Sequence, residues 1–167
     1  NNISALSTGI TTAEITNTQR LTDLVSLNLT GAGSNVANAY TVTIAGADAV
    51  VSDAADINTI DARTSVAVDA SAITSLTGTA SALNTLYTAA TSGGGATVTG
   101  LNAQETTILS DTASTSAAQV HTLKNTMDAL AAAQSPAVTP ANINAASVTS
   151  FSGVALDLLA VYSGKYR

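Results

Sequence analysis

The stretch Leu76-Thr77-Gly78-Thr79-Ala80-Ser81-Ala82-Leu83-Asn84-Thr85-Leu86-Tyr87 decides how this chain is read, because it recurs. An earlier copy runs Leu29-Thr30-Gly31-Ala32-Gly33-Ser34-Asn35-Val36-Ala37-Asn38-Ala39-Tyr40. A later copy, Phe151-Ser152-Gly153-Val154-Ala155-Leu156-Asp157-Leu158-Leu159-Ala160-Val161-Tyr162, lies near the other end of the chain. Gly31, Gly78 and Gly153 keep one place, and Tyr40, Tyr87 and Tyr162 another. Within the quoted stretch Leu83, Leu86 and Tyr87 are spaced i, i+3 and i+4, which puts them on one face of a helix. The Val/Thr/Ile-rich residues before it read as strand.

A second motif alternates with the first: Thr12-Ala13-Glu14-Ile15, Ala54-Ala55-Asp56-Ile57 and Ala117-Ala118-Gln119-Val120. Taking the aliphatic fourth residue as an anchor, both motifs together give Ile15, Val36, Ile57, Leu83, Val120 and Leu158. The first three anchors are evenly spaced, and the gaps then widen toward Leu83, Val120 and Leu158. Internal repetition of this kind is the mark of stacked architectures. Six half-units make three units, approximately 1–40, 41–92 and 93–167, in one repeat domain spanning 1–167. Each half-unit combines an apolar β-branched stretch, a Gly or Ser/Thr/Asp break and an Ala-rich helical segment. The strand stretches are Leu24 to Leu29, Tyr40 to Ile44, Val66 to Leu76, Ala96 to Leu101 with Thr106 to Leu109, and Ile143 to Phe151. The longest helix is expected over Thr115 to Ala133, with Val120, Leu123, Met127 and Leu130 in one stripe and Pro136 and Pro140 beyond its end.

A strand-turn-helix unit this short cannot bury its own apolar face, whereas units stacked side by side can. The expected fold is therefore α/β, an irregular solenoid or layered stack, with an all-β sandwich as the alternative. Composition agrees with close stacking. Apolar residues are 46% of the 167, but aromatics are 3% and Phe151 is the only Phe. Small side chains bury little area each, at roughly 25 cal/mol per Å², so layers must approach closely to form a core.

Charged residues are 10% and the net charge is −6, with no cluster of Lys or Arg. That balance excludes a nucleic-acid footprint. No apolar run reaches the length of a membrane span. The chain starts at Asn1 without Met, and reads as a portion of something longer.

From Asp61 to Tyr87 the chain resembles the tandem modules of giant repetitive cell-surface proteins of marine bacteria, cyanobacteria among them. Those modules run through V-(D/N)-A-x-x-(V/I)-T-x-(L/I)-T-G-T-A-x-x-(L/V)-N-x-x-Y, and alternate it with a line that Ser52 to Asp61 echoes. The likeness is good over Ser52 to Tyr87 and recognisable from Asp111 to Tyr162. It implies an extracellular, cell-surface location and an architectural or adhesive role in a filament, surface layer or long adhesin. The expected partners are copies of itself or neighbouring modules. The resemblance carries no catalytic residues.

The residues themselves offer no enzyme constellation. A Ser nucleophile elbow is missing, and the single His121 stands where Thr16, Asn58 and Asn84 stand in the other copies, as a surface or edge position. No cofactor is expected. Asp48, Asp53, Asp56 and Asp61 are a weak calcium candidate, since calcium needs several oxygens gathered at about 2.4 Å. The plainer reading makes Asp53 the cap of a helix whose first turn holds Asp56. Gly93-Gly94-Gly95 lacks the Lys-Ser/Thr of a phosphate loop and reads as an excursion between half-units. It and the segment around Pro136 and Pro140 are the expected contact loops. A row formed by Tyr40, Tyr87 and Tyr162 would be either a packing ladder or a face for cell-surface glycans.

Overall fold

The computed structural model describes residues 10–15, 21–27, 38–44, 46–91 and 95–161. Ten strands, five α-helices and a short 3-10 helix at Gly46–Ala49 lie along them. The strands are β1 (Thr12–Ile15), β2 (Ala39–Val42), β3 (Ser52–Asp53), β4 (Val68–Asp69), β5 (Ser75–Gly78), β6 (Val98–Thr99), β7 (Thr106–Leu109), β8 (Ser114–Ser116), β9 (Ile143–Asn144) and β10 (Ser150–Ser152). The helices are α1 (Leu21–Leu24), α2 (Ala54–Asp61), α3 (Ala80–Thr91), α4 (Ala117–Ala132) and α5 (Ala155–Ala160). The fold is α/β. Every strand pair among the described residues is parallel, and parallel neighbours need long crossovers, which the helices supply. The all-β sandwich is thereby overturned.

The strands β3, β5, β7 and β9 make one four-stranded sheet in chain order. Leu76 lies beside Ser52, Thr106 beside Ser75 and Ile143 beside Thr107, so each crossover is longer than the last. A second row runs β1–β2, continues through the bridge of Thr43 to Asp69, and ends in β4–β6. The pair β8–β10 leads into α4 and α5. The helices lie side by side, each of α1 to α4 against the one that follows it. Each of α2 to α4 thus lies in one strand-to-strand crossover of the four-stranded sheet, a winding, and packs against the helix that follows it.

The anchors explain this packing. Ile57, Leu83, Val120 and Leu158 are each the fourth residue of their helix. Ile57, Leu83 and Val120 are buried, and Leu158 packs against the core. In α4, Val120, Leu123, Met127 and Leu130 are all buried, as their spacing predicts. Caps set the helix starts: Asp53 Oδ1 accepts from Ala55 N at 2.7 Å, and Ser116 Oγ accepts from Gln119 N. At the start of α3, Thr79 Oγ1 accepts from Ala82 N at 3.1 Å, and Asp111 of the next winding accepts from Ala80 N at 2.9 Å.

Several local expectations change. Ile15 ends strand β1 and does not sit on a helix, and Leu21–Leu24, overlapping the expected strand at Leu24 to Leu29, is helical. The stretches Val66 to Leu76 and Ile143 to Phe151 are each two short strands around a corner, closed by Ile73 N to Ala70 O and by Val148 N to Ala145 O. In both, an Asx side chain makes the corner: Asp69 accepts from Ser71 N and Asn144 from Ala146 N. Asn102 does the same for Gln104 N. The sequence writes this corner as Val68-Asp69-Ala70, Leu101-Asn102-Ala103 and Ile143-Asn144-Ala145.

Leu83→Ala is expected to cost about 2–5 kcal/mol by opening a cavity in the core. Gly78→Val should cost ~1–3 kcal/mol, because a Cβ there would stand 3.0 Å from the Ala54 Cβ. Denaturant unfolding of the two variants against the parent chain measures both losses.

Candidate functional site

What the windings hold in common is polar chemistry directed from each helix to the next. The residue after each anchor makes the contact. Asn58 Nδ2 donates to Ala82 O at 2.9 Å, and Asn84 Nδ2 to Gln119 O at 2.8 Å. His121 Nδ1 faces Asp157 Oδ1 at 3.0 Å. In all three cases the partner is the residue just before the next helix's anchor. His121, expected as a surface or edge substitution, is half-buried and forms the third rung of this ladder. Its partner Asp157 carried no signal of its own in the sequence; the counterparts Ala82 and Gln119 take part through backbone oxygens.

The repeated glycines sit at the same junctions. Gly78 faces Ala54, the first residue of α2, and a Cβ on Gly153 would come 3.2 Å from the Cβ of Ala117, the first residue of α4. Each glycine thus lets the turn before one helix approach the start of the preceding helix. Gly31 and Tyr162 lie outside the described residues.

The tyrosines do not form one row. Tyr40 lies in strand β2 and Tyr87 in helix α3, and both are buried. Their hydroxyls are buried too. Asn38 Nδ2 donates to Tyr40 Oη at 2.9 Å. Tyr87 Oη is 2.8 Å from Thr107 Oγ1 and donates to Glu105 Oε2 at 3.4 Å, while the other Glu105 oxygen accepts from Asn102 N. Burial, and then the Glu105 charge, push the Tyr87 phenol well above the usual tyrosine range. The two rings offer no face to a glycan. The phase shared by Tyr40 and Tyr87 in the sequence does not carry over to the fold.

The four aspartates of the calcium candidate are engaged separately. Asp48 accepts from Leu21 N at 3.0 Å at the head of α1. Asp53 caps α2, and Asp61 accepts from Thr97 Oγ1 at 2.9 Å. Asp56 stands in the first turn of α2, where burial, with the charges of Asp53 and Asp48 beside it, raises its pKa. Among the described residues, no three His, Asp or Glu side chains are gathered to hold a metal. The cap reading of Asp53 is the one the fold adopts.

Of the expected contact loops, Gly93 and Gly94 lie outside the described residues, while Gly95 and Pro136 are exposed and Pro140 is half-buried. The second excursion rejoins the body where Ala141 N donates to Ala103 O at 2.7 Å. Between the C-terminal ends of α3 and α4 is an open, mainly apolar groove of about 260 Å³, lined by Ala90, Thr91, Ala129, Leu130, Ala133 and Gln134. Across the four-stranded sheet one cross-strand row reads Asp53–Thr77–Ile108–Asn144. It is mixed in character, unlike the regular Thr array an ice or mineral surface would call for.

Comparison of the chain with protein-family models, with curated proteins and with solved structures returns no match.

Two outcomes follow. The folded chain holds the Tyr87 proton at pH values where an unfolded chain loses it, near 10.0. The stability this contributes is complete below that pH and is lost as pH rises through the folded value. Tyr87→Phe should cost about 1–3 kcal/mol at neutral pH by leaving Thr107 and Glu105 short of a partner. It should also remove the Tyr87 share of the alkaline loss, read from unfolding curves across alkaline pH. Separately, melting with and without EDTA is expected to coincide, since Asp48, Asp53 and Asp61 already spend oxygens on Leu21, Ala55 and Thr97.

Proposed function

We propose that this chain is a non-catalytic structural module of an extracellular bacterial surface protein, built as a short irregular solenoid. The observation that carries the reading is the ladder at Asn58, Asn84 and His121. One position in each of three helices is devoted to holding the next winding. The repeated glycine-on-alanine contacts serve the same purpose. Stacking of this kind gives length and stiffness along one axis, because each winding touches only its neighbours. The cell-surface location rests on the resemblance of Ser52 to Tyr87 to tandem surface modules, and on a chain without Cys whose polar residues are mainly Thr, Ser and Asn.

A glycan- or surface-binding role is the less favoured reading. The burial of Tyr40 and Tyr87 removes the feature that suggested it, and the groove between α3 and α4 is lined mainly by alanine and leucine.

Immunogold electron microscopy of intact producing cells, with an antibody raised against this chain, tests the assignment. Gold is expected outside the envelope, along filaments, a lattice or tethers. Label confined to the cell interior would sink the reading.

A further inference from the structure

The chain has two prolines, and each follows a hydroxyl side chain: Ser135-Pro136 and Thr139-Pro140. Both pairs lie in the segment that leads from α4 to β9, where residues 133–142 belong to no helix or strand. The segment is fastened at two points. Val138 packs against the core and donates its N–H to Ala131 O at 3.1 Å, and Ala141 N donates to Ala103 O at 2.7 Å. Ser135, Ala137 and Thr139 are left exposed around these ties. No charged residue stands between Asp128 and Asp157, so charge supplies no hydration to this part of the surface.

In a chain so rich in Ser and Thr, what sets these two apart is that their hydroxyls and their backbone are both unspent. On the helices Thr59, Thr85 and Thr122 each donate to a carbonyl of the preceding turn. Thr74 and Ser147 donate to carbonyls of the neighbouring winding. Exposed hydroxyls on strands, such as Thr41, sit on backbone held in a parallel ladder. Among the described residues neither Ser135 nor Thr139 has a hydroxyl partner. The residue before a proline is confined to extended backbone, and the proline itself has no N–H to give to a ladder. An enzyme that takes its acceptor as an extended strand therefore finds one already ordered, which lowers the entropy lost on binding.

We propose that Ser135 and Thr139 are acceptor sites for O-linked sugar. Ser and Thr beside Pro are the composition of O-glycosylated surface segments, and here that composition coincides with exposure and free hydroxyls. The donor is a sugar joined through its anomeric carbon to a phosphate. The hydroxyl oxygen of Ser135 or Thr139 bonds to that carbon as the carbon–oxygen bond to phosphate breaks. The phosphate leaves with the electron pair, and the hydroxyl proton passes to a base of the transferase; nothing is oxidised or reduced. The attached sugar then supplies the hydration that the missing charges do not. The proposal rests on the surface-module reading, which places the chain where sugars rather than phosphoryl groups are the expected addition.

Peptide mapping by mass spectrometry of the full chain from producing cells tests it. Trypsin releases residues 125–165, which hold both acceptors, apart from residues 64–124, which hold Ser110 and Thr112. Those two are equally exposed, between β7 and β8, but no proline follows them. Residues 125–165 are expected to be heavier than their sequence by whole sugar residues, with fragmentation placing the sugar on Ser135, Thr139 or both. Ser110 and Thr112 are expected bare. Ser135→Ala with Thr139→Ala, made in the producing strain, should remove the added mass. Pro136→Ala with Pro140→Ala keeps both hydroxyls and should lose most of it, with circular dichroism and melting near the parent's showing that the fold is kept.

Residues 125–165 at their bare sequence mass overturn the inference, as does sugar found only at other positions. A phosphate-sized increment on the same hydroxyls also overturns it, and so does sugar unchanged by the two proline substitutions. Bare peptide with gold still on the cell surface removes the sugar and leaves the surface assignment standing. Sugar at these positions with interior label does the reverse.

Discussion

The structure depends on how closely the start of each helix can approach the turn before the next one. At Gly78 the space for a side chain is already taken by Ala54, and at Gly153 by Ala117. Parallel strands in a sheet stand about 4.8 Å apart, whereas packed helices are separated by about 8–10 Å, depending on the side chains between them. A winding that carries both must reconcile the two spacings. Ala54, Ala80 and Ala117 at the first helical positions, all buried, bring the helix starts down toward the strand spacing. The larger residues, Leu83, Leu86, Leu123 and Met127, come later in their helices, where the separation can widen. The poverty of aromatics in the composition is a consequence of this geometry: bulk at the helix starts would push the windings apart.

A thin core of small side chains places more weight on polar groups being satisfied. The carboxylate of Glu105 is buried and serves Asn102 N and the Tyr87 hydroxyl, and Thr107 completes the set. Asn38 plays a similar part beside Tyr40, accepting from Thr11 N at 2.8 Å and donating to the tyrosine hydroxyl. Each network ties residues of different windings, and a buried polar group that loses its partner costs more than the bond itself contributes. The Asx corners do the same for turning backbone. Asp69, Asn102 and Asn144 each occupy a backbone N–H at the point where the chain leaves one strand for the next.

How much of this was legible follows from what each residue answers to. The anchors from Ile57 onward, the stripe of α4, β7 over Thr106–Leu109 and the cap at Asp53 were readable, because periodicity and capping are local properties. The α/β class followed from their alternation. The anchor Ile15 and the strand expected from Leu24 failed for the opposite reason. Ile15 and Leu24 sit in segments so short that pairing with neighbours, as β1 does with β2, decides between strand and helix. The match of Tyr40 to Tyr87 misled because a buried tyrosine with a satisfied hydroxyl fits a strand or a helix equally well. Of the site, the Asn and His positions were visible as a column in the repeat, but their purpose was not. Ala82 and Gln119 accept through backbone oxygens, which no side-chain pattern records, and Asp157 acquires its role only by standing opposite His121.

The windings lengthen along the sheet, from Ser52-to-Leu76 through Ser75-to-Thr106 to Thr107-to-Ile143, and this bears on where variation is tolerated. Part of the added length is in the helices, which grow from 8 residues in α2 to 12 in α3 and 16 in α4. Part lies between β7 and α4, where β8 is inserted, and part in the segment after α4. The segment after α4 leaves through exposed Pro136 and returns at Ala141, bonded to Ala103, before β9 resumes its place beside β7. The cost of a longer surface loop grows only slowly with its length, whereas a register shift in a buried strand would turn its apolar residues outward. Length has therefore accumulated in the helices, in the β8 insertion and after α4, while the parallel register of the four-stranded sheet is kept. One consequence is the groove between the ends of α3 and α4, whose rim, at Thr91, Ala133 and Gln134, is the point where these excursions depart. The sheet register fixes the frame, and the helix lengths and connections differ from one layer to the next.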